Sequence, residues 1–267
     1  MLEPKSLPPV SVTVLGSGTS HGIPVIACDC AVCRSSDLRD RRTRSSIYID
    51  DGITPFLVDT TPELRLQCVA NGIKRVAAVL FTHPHADHVF GFDDLRRFSE
   101  LLGERLPVYG SPLTLAFLQN IYPYAFDPSV GIPTTYIRVS AQPFDGPFTI
   151  GSLTVIPLEV PHGKPITHGF LFERSRRKLF AYIPDCKELP PAVVKRLRGV
   201  EKLLIDGLRD QPHPTHMTIQ EAIAAGREVK AGMTILTHLT HHKSHADREA
   251  ELPEGFHVAY DGMKFEL

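Results

Sequence analysis

Three histidines and one aspartate occupy six consecutive positions directly after a short apolar run. The run Val76–Phe81 is rich in β-branched residues, which predicts a buried strand. After Thr82 the chain reads His83-Pro84-His85-Ala86-Asp87-His88. Residues two apart in an extended segment point the same way, so His83 and His85 can bind one ion, while Asp87 and His88 can bind a second at the turn into the next helix. Imidazole and carboxylate groups are ligands of zinc, manganese and iron. The segment therefore predicts a metal site at the end of a buried strand.

Strand-like and helix-like segments occur in both halves of the chain, with no Gly/Ser-rich linker between them. This pattern predicts a single α/β domain over residues 1–267, a four-layer αββα sandwich in which two sheets pack face to face under helices. The predicted strands are Ser11–Leu15, Ser46–Ile49, Pro55–Asp59, Val76–Phe81, Thr135–Val139, Leu153–Glu159, Thr167–Phe172, Leu179–Ile183, Lys202–Asp206, Met233–Leu236, His257–Tyr260 and Lys264–Glu266. The predicted helices run from Thr61 to about Asn71 with Gly72 as cap, after Gly91, from Ser111-Pro112, and over Pro190–Leu197 and Thr218–Val229.

Composition limits the protein's surroundings and partners. The 267 residues are 42% hydrophobic and 22% charged, which is typical of a globular protein, and the formal net charge of −1 offers no steering toward nucleic acid or an anionic membrane. No apolar stretch is long enough to span a bilayer, and the first ten residues lack the apolar core of a secretory signal. We therefore expect a cytoplasmic protein with no membrane partner.

Three of the five cysteines are clustered near the start of the chain. Cys28, Cys30 and Cys33 form a C-x-C-x-x-C pattern, whereas Cys68 and Cys186 stand apart. In a reducing compartment this pattern favours a tetrahedral zinc over disulfides, and such a zinc needs a fourth ligand from elsewhere. His241 is the candidate, three residues after His238. The alternative is a buried cluster of reduced thiols.

The H-x-H-x-D-H segment resembles the defining motif of the metallo-β-lactamase superfamily. That resemblance implies further ligands at strand ends downstream, and His162, Asp185 and His238 stand at such places. It implies two divalent ions, manganese or zinc. One ion is bound by His83, His85 and His162, the other by Asp87, His88 and His238, and Asp185 bridges them. His168, at the start of a strand, is the competitor of His162.

A narrower resemblance is to the branch that contains the phosphoribosyl cyclic phosphodiesterase of the carbon–phosphorus lyase pathway. This resemblance rests on three motifs. They are the loop Gly16-Ser17-Gly18-Thr19-Ser20-His21-Gly22-Ile23-Pro24, the cysteine pattern after it and Thr237-His238-Leu239-Thr240-His241. The loop lacks the P-loop lysine, so we expect a turn near the metals and no nucleotide cradle.

This branch implies a two-metal hydrolase of a small phosphorylated substrate such as phosphoribosyl 1,2-cyclic phosphate. A metal-bridging hydroxide attacks and His216 is the general acid, with His213 as its rival; Asp185 positions the metals. A homodimer is common among relatives, and the sequence leaves the oligomeric state open.

Three other functions are weighed against this one. A nucleotide or RNA phosphodiesterase of the ribonuclease Z type would carry a basic Gly/Pro-rich arm, and none is evident, so nucleic acid is not the expected partner. β-Lactam hydrolysis is disfavoured by aspartate, in place of cysteine, as the bridging ligand. A binding or carrier protein like the one of pyrroloquinoline quinone biogenesis shares the fold and the cysteine cluster, but the complete ligand set favours an enzyme. The basic stretch Arg39–Arg44 is unassigned and is expected to be a solvated loop.

Overall fold

Two sheets packed face to face form the centre of the protein. The computed structural model describes residues 8–129, 136–164 and 166–267, and within these ranges each sheet has seven strands. The strands are β1 (Ser11–Gly16), β2 (Ser46–Asp50), β3 (Phe56–Val58), β4 (Ala78–Leu80), β5 (Leu106–Gly110), β6 (Val139–Pro143), β7 (Phe148–Ile150), β8 (Leu153–Val160), β9 (Thr167–Arg174), β10 (Arg177–Ile183), β11 (Lys202–Asp206), β12 (Met233–Thr237), β13 (Phe256–Val258) and β14 (Lys264–Glu266).

Strand direction places the segments that contain the predicted metal ligands at one edge of the two sheets. The first sheet has the order β14-β1-β2-β3-β4-β5-β6 and is parallel from β3 to β6. The second has the order β13-β12-β11-β10-β9-β8-β7 and is parallel from β10 to β13. Since β9 is antiparallel to both of its neighbours, β8 runs in the same direction as β10. The segments that follow β4, β8, β10 and β12 therefore leave the sheets in positions where they can meet.

Helices cover the outer face of each sheet. They are α1 (Leu64–Ala70), α2 (Ala86–Val89), α3 (Arg96–Leu102), α4 (Pro112–Ile121), α5 (Pro123–Phe126), α6 (Pro191–Leu197), α7 (Ile219–Val229) and α8 (His245–Glu251), with 3-10 turns at Leu38–Asp40 and Phe92–Leu95. α7 begins with a capping box, because the Thr218 side chain accepts from the N–H of Glu221 and the Glu221 side chain accepts from the N–H of Thr218. Across the described ranges, every helix falls short of the length and apolar character that a membrane span requires.

Three apolar cores separate four layers. One core lies between the sheets and includes Phe170 and Phe172. A second packs α1, α3 and α4 against the first sheet, and a third packs α6 and α7 against the second sheet. The predicted α/β class and αββα sandwich are confirmed.

Local signals misplaced a few elements. The predicted strand Thr135–Val139 was wrong in position, because the strand begins at Val139; Thr135 lies outside the described residues. Strands β5 and β7 and helix α8 were missed. Helix α1 begins after Glu63 and not after Thr61 as predicted. The Thr61 hydroxyl accepts from the N–H of Glu63 at 3.3 Å and donates to the side chain of Gln67 at 3.0 Å. Gly72 does end α1 as predicted, with φ +66° and the N–H of Ile73 donating to the carbonyl of Cys68.

Candidate metal centre

Segments from both sheets bring His83, His162, Asp185 and His238 together at one edge. His83 follows β4, His162 follows β8, Asp185 follows β10 and His238 follows β12. All four side chains are buried; His162, the most exposed of them, is only 4% exposed. Polar side chains this well buried need partners, and they find them in one another.

The first group comprises His83, His85 and His162. Nε2 of His83 lies 2.9 Å from Nδ1 of His85, and Nε2 of His162 lies 3.3 Å from the same nitrogen. The ligand atoms of all three lie within 4.8 Å of one another. The donors that the sequence assigned to one ion thus converge, and the exposed ring of His85 leaves this group open to solvent.

The second group comprises Asp87, His88 and His238, whose ligand atoms also lie within 4.8 Å of one another. Asp87 and His88 are in the short helix α2, whose first turn directs both side chains inward. Nε2 of His88 lies 3.4 Å from Oδ2 of Asp87. His88 and His238 stack with ring centroids 6.0 Å apart. This is the set that the sequence assigned to the second ion.

Asp185 lies between the two groups. Its Oδ1 is 3.2 Å from Nε2 of His88 and 3.5 Å from Nδ1 of His238. Its Oδ2 is 3.4 Å from Nε2 of His162 and 3.9 Å from Nε2 of His83. One carboxylate oxygen therefore faces each group, which is the arrangement that a bridging ligand requires.

Electrostatics at this edge favour metal-binding protonation states for His83, His238 and Asp185. His88 differs, because burial lowers its pKa but Asp185, Asp87 and Asp59 outweigh burial and raise that pKa well above its usual value. Burial lowers the pKa of His238 to about 3, although Asp185 opposes the shift. Burial also lowers the pKa of His83 well below its usual value, and His88 adds to that shift. Burial alone would raise the pKa of Asp185, but the neighbouring His238 and His88 outweigh it and hold that pKa well below the usual range. Neutral imidazole and ionised carboxylate are the forms that bind metal ions.

The donors fit divalent cations. Nε2 of His88 and Oδ1 of Asp185 are buried and have no hydrogen-bond partner among the described residues. Each would be costly to bury without a partner, and a cation between them satisfies both. Nitrogen and carboxylate oxygen suit zinc or manganese.

Two buried carboxylates behind the site were missed by sequence reasoning. Asp59, directly after β3, accepts a hydrogen bond from Nδ1 of His88 at 2.8 Å. Asp206, the last residue of β11, accepts from Nδ1 of His216 at 2.7 Å and from the N–H of Cys186 at 3.0 Å. Both are fully buried at the ends of strands, and an aspartate at such a place was the available signal.

His216 is the third predicted functional position, and it lies against both groups. Its ring centroid is 4.5 Å from that of His162 and 4.8 Å from that of His238. Burial lowers the pKa of His216, but the hydrogen bond to Asp206 and its charge outweigh burial and raise that pKa above its usual value. Ligand atoms of His162, Asp185 and His216 also lie within 4.8 Å of one another.

The two rival histidines are placed differently. His213 is beside His216 with centroids 5.0 Å apart, but its Nδ1 faces the N–H and hydroxyl of Thr215. His168 contacts the ring of Phe144 and is not part of the metal-ligand groups found among the described residues.

The cysteine cluster and His241 form a second group of donors. Nδ1 of His241 lies 3.4 Å from Sγ of Cys28, 3.4 Å from Sγ of Cys30 and 3.3 Å from Sγ of Cys33. The N–H of Cys33 is the largest cause that lowers the pKa of Cys30 to about 6, whereas burial raises the pKa of Cys33 to about 11. Three thiols around one imidazole nitrogen fit a tetrahedral zinc.

The glycine-rich loop links these two centres. The N–H of Thr19 donates to the carbonyl of Leu239, and the N–H of Leu239 donates to the carbonyl of Ser17, so the loop flanks His238 as expected. A Cβ at Gly16 would lie 1.9 Å from the carbonyl oxygen of Arg44, which explains why glycine is needed there.

The expectation of a solvated loop over Arg39–Arg44 was wrong for Arg42. That side chain is 4% exposed and bonds Ser17, His245 and the carbonyl of Ala259. Arg44 is half-buried and paired with Glu63. The segment holds the loop and α8 together, which a run of charged residues does not reveal.

Two packed sheets with histidines and aspartates converging at one edge define a hydrolase of the metallo-β-lactamase fold. A family model described as the beta-lactamase superfamily domain matches residues 54–239, so the chain belongs to that superfamily. A crystal structure described as a new diphosphatase from the PhnP family is 37% identical to the chain, with a TM-score of 0.89 and coverage of 98% of each chain.

Two further relatives and one more solved structure carry other names. An octanoyltransferase of Porphyromonas gingivalis is 35% identical over 254 residues, 94% of this chain and 50% of that protein, so the chain spans about half the length of that relative. Coenzyme PQQ synthesis protein B of Methylobacterium sp. is 28% identical over 310 residues, 95% of this chain and 99% of that protein. A crystal structure of the short form of human tRNase Z, at 17% identity and TM-score 0.69, shares the fold.

Proposed function

We propose that this protein is a metal-dependent phosphoric diester hydrolase that cleaves a small cyclic phosphate such as phosphoribosyl 1,2-cyclic phosphate. The observation that carries the proposal is the position of His216. It is hydrogen-bonded to Asp206 and lies against His162 and His238, one member of each proposed ligand set. A proton donor beside a two-ion site is what the expulsion of a sugar alkoxide requires.

His83, His85 and His162 would bind one divalent ion, Asp87, His88 and His238 the other, and Asp185 both. Such ions supply a nucleophile near neutral pH and neutralise charge on the phosphate oxygens. Neutral His83 and His238 present nitrogen lone pairs to the ions. Asp185 lies between the two groups, with one oxygen directed toward each of them. The backbone carbonyl of Thr215 accepts a hydrogen bond from Nδ1 of His162 at 2.9 Å. This bond directs Nε2 of the His162 ring toward His85.

His216 would protonate the leaving oxygen. Because Asp206 accepts from Nδ1, the proton that His216 transfers is on Nε2. Burial lowers the pKa of His216, but the hydrogen bond to Asp206 and its charge outweigh burial and raise that pKa, which favours the protonated ring that a general acid needs. Asp206 therefore positions the ring and stabilises its charged form.

Hydrolysis of a diphosphate is the second candidate. The PhnP-family diphosphatase covers 98% of this chain at 37% identity, and its reaction also breaks a phosphorus–oxygen bond. In hydrolysis of a diphosphate the leaving group is a phosphate and not an alkoxide, so this reaction depends less on a proton donor. The full set of donors supports an enzyme over a carrier like the PQQ synthesis relative. We also assign one structural zinc to Cys28, Cys30, Cys33 and His241 as part of this proposal.

Metal analysis and a substrate panel test the proposal. We expect three metal ions per chain after loading with zinc or manganese, and turnover of bis(p-nitrophenyl) phosphate and ribose 1,2-cyclic phosphate. Asp185→Asn should lower occupancy at the active site, whereas Asp94→Asn, which changes an exposed aspartate elsewhere, should not. One tightly held zinc per chain together with no hydrolysis of either diester would contradict the proposal. Turnover of a diphosphate ester alone would favour the second candidate.

A further inference from the structure

Lys187 connects the segment after β10 to the backbone of His216, and it has no part in the reaction described above. It stands two residues after Asp185, and its N–H donates to the carbonyl of Pro161 at 2.7 Å. Pro161 directly precedes His162. The backbone of Lys187 is therefore fixed between two segments that each contain a proposed metal ligand.

The ammonium group of Lys187 lies among three oxygen atoms. Its Nζ donates to the backbone carbonyl of His216 at 3.4 Å, to Oε1 of Glu221 at 2.8 Å and to Oε2 of Glu221 at 3.0 Å. An ammonium group has three donors, so these three oxygens match them. Only 30% of the Lys187 side chain is exposed. Its charge is thus directed at the backbone of the proposed general acid and at the first turn of α7.

Glu221 extends this contact to the residues just after His216. Its Oε2 accepts from the N–H of Thr218 at 2.7 Å, and the Thr218 hydroxyl accepts from the N–H of Glu221 at 3.1 Å. Thr218 is two residues after His216 and caps α7. Lys187 therefore holds the backbone of His216 in two ways, directly at the carbonyl and through Glu221 at the start of the helix.

The ring of His216 is held from the same segment as its backbone. Its Nδ1 donates to Oδ2 of Asp206 at 2.7 Å, and that oxygen also accepts from the N–H of Cys186 at 3.0 Å. Cys186 and Lys187 are the two residues that follow Asp185. The first of them reaches the ring of His216 through Asp206, and the second reaches the backbone of His216 directly.

Both contacts are needed to place the proton that His216 transfers. The hydrogen bond from Nδ1 fixes only one atom of the imidazole ring, so the position of Nε2 also depends on where the backbone of His216 lies. A displacement of about 1 Å in a reacting group can cost on the order of 10²-fold in rate.

We propose that Lys187 is a positioning residue, which holds the backbone of His216 so that Nε2 of the ring points at the leaving oxygen of the substrate. The inference rests on the proposed phosphodiesterase function and adds a residue to it. Cleavage that expels an alkoxide then depends on Lys187, whereas the departure of p-nitrophenolate does not. A partly exposed ion pair contributes little to folding stability, so the protein folds without this lysine.

Kinetics of Lys187→Met on two types of ester test the proposal. We expect kcat to fall about 10–100-fold for ribose 1,2-cyclic phosphate and by less than about twofold for bis(p-nitrophenyl) phosphate. Lys187→Arg keeps the charge and the N–H donors, so it should retain more activity on the cyclic ester than Lys187→Met. Lys195→Met, on the exposed face of α6, is the matched control and should leave both rates unchanged. An equal loss on both esters, or no loss on either, would overturn the proposal.

A double variant shows whether Lys187 acts through His216. Lys187→Met combined with His216→Ala should cleave the cyclic ester at the rate of His216→Ala alone, because the acid that Lys187 positions is already absent. Losses that multiply in the double variant would contradict the proposal. Full activity of His216→Ala on the cyclic ester would contradict the general-acid role itself. A loss in His216→Ala that is absent from Lys187→Met would contradict only the role of Lys187.

Nuclear magnetic resonance gives a measurement that needs no turnover. In the full, zinc-loaded chain with ¹⁵N-labelled histidine, the Nδ1 proton of His216 is assigned by its absence from His216→Ala. We expect this proton to exchange with water about tenfold faster in Lys187→Met, because the segment around His216 opens more easily. Metal content should stay the same, and Tm should stay within about 4 °C of the wild type. Unchanged exchange of the proton, or loss of the active-site metals, would overturn the proposal.

Discussion

Oδ2 of Asp59 accepts hydrogen bonds from Nδ1 of His88 at 2.8 Å and from the hydroxyl of Thr82 at 2.8 Å. Since that hydroxyl donates to Asp59, it is left to accept from Nδ1 of His83, 2.9 Å away. One buried carboxylate therefore fixes the tautomer of two histidines, directly for His88 and through Thr82 for His83. Both rings are left with Nε2 directed toward Asp185, which lies 3.2 Å from His88 and 3.9 Å from His83.

We predict that Asp59→Asn weakens active-site metal binding by about 10–100-fold, because partners behind metal-binding histidines orient the rings and raise their basicity. Metal titration followed by calorimetry measures the change. Asp94→Asn, at an exposed position in a 3-10 turn, is the matched control. Wild-type affinity in Asp59→Asn would show that the ring orientation does not depend on this carboxylate.

We predict that His216→Ala lowers kcat for diesters with alkoxide leaving groups by about 10²–10⁴-fold, the usual contribution of a general acid. The loss should be much smaller for p-nitrophenyl esters, because p-nitrophenolate departs without a proton. A comparison of the two ester types distinguishes proton donation from a structural role. His213→Ala is the control, since its Nδ1 faces Thr215. An equal loss on both ester types in His216→Ala would refute the general-acid role.

We predict that Cys30→Ser removes one zinc per chain without removing the active-site metals. Zinc binding to such a cluster stabilises the folded chain, and a loss of ~3 kcal/mol shifts Tm by roughly 6–12 °C in a protein of this size. Zinc analysis and thermal unfolding measure both effects. Cys68→Ala changes a buried thiol outside the cluster and should keep the zinc. Full zinc content in Cys30→Ser would mean that this thiol is not a ligand.

We predict that His245 makes stability decrease as the pH falls. Burial, together with the charges of Arg42 and Arg39, lowers the pKa of His245 to about 4, although Glu249 and Asp37 oppose the shift. Neutral His245 accepts from the guanidinium of Arg42 at 3.3 Å. Below about pH 6.5 His245 becomes protonated in the unfolded chain, whereas in the folded protein it stays neutral down to about pH 4. The free energy of unfolding therefore decreases as the pH falls between these values.

Thermal unfolding between pH 7.5 and pH 5 tests this expectation. His245→Gln should lose less stability over that interval than the wild type, while the exposed His21→Gln should follow the wild type. Identical pH profiles for His245→Gln and the wild type would show that another group causes the acid sensitivity.

Most elements of the sandwich could be predicted from the sequence, since strand periodicity and helix caps depend on neighbouring residues. β10, β11 and β14 were predicted to within two residues of their observed ends. β5 was missed because Leu106-Pro107-Val108-Tyr109-Gly110 is short and interrupted by proline, and it is stabilised by parallel partners on both sides. Partner strands that are distant along the chain cannot be identified from the few residues around β5.

By itself the sequence determined the types of ligand and their order along the chain. In H-x-H-x-D-H and C-x-C-x-x-C the donors are only one to three residues apart, so the chain itself keeps them close together. Only the tertiary structure decided which atoms meet. Asp59 reaches His88, Asp206 reaches His216, and Asp185 lies between the two groups because two sheets with aligned strand ends pack against each other. Contacts between remote segments depend on packing, which spacing along the chain does not encode.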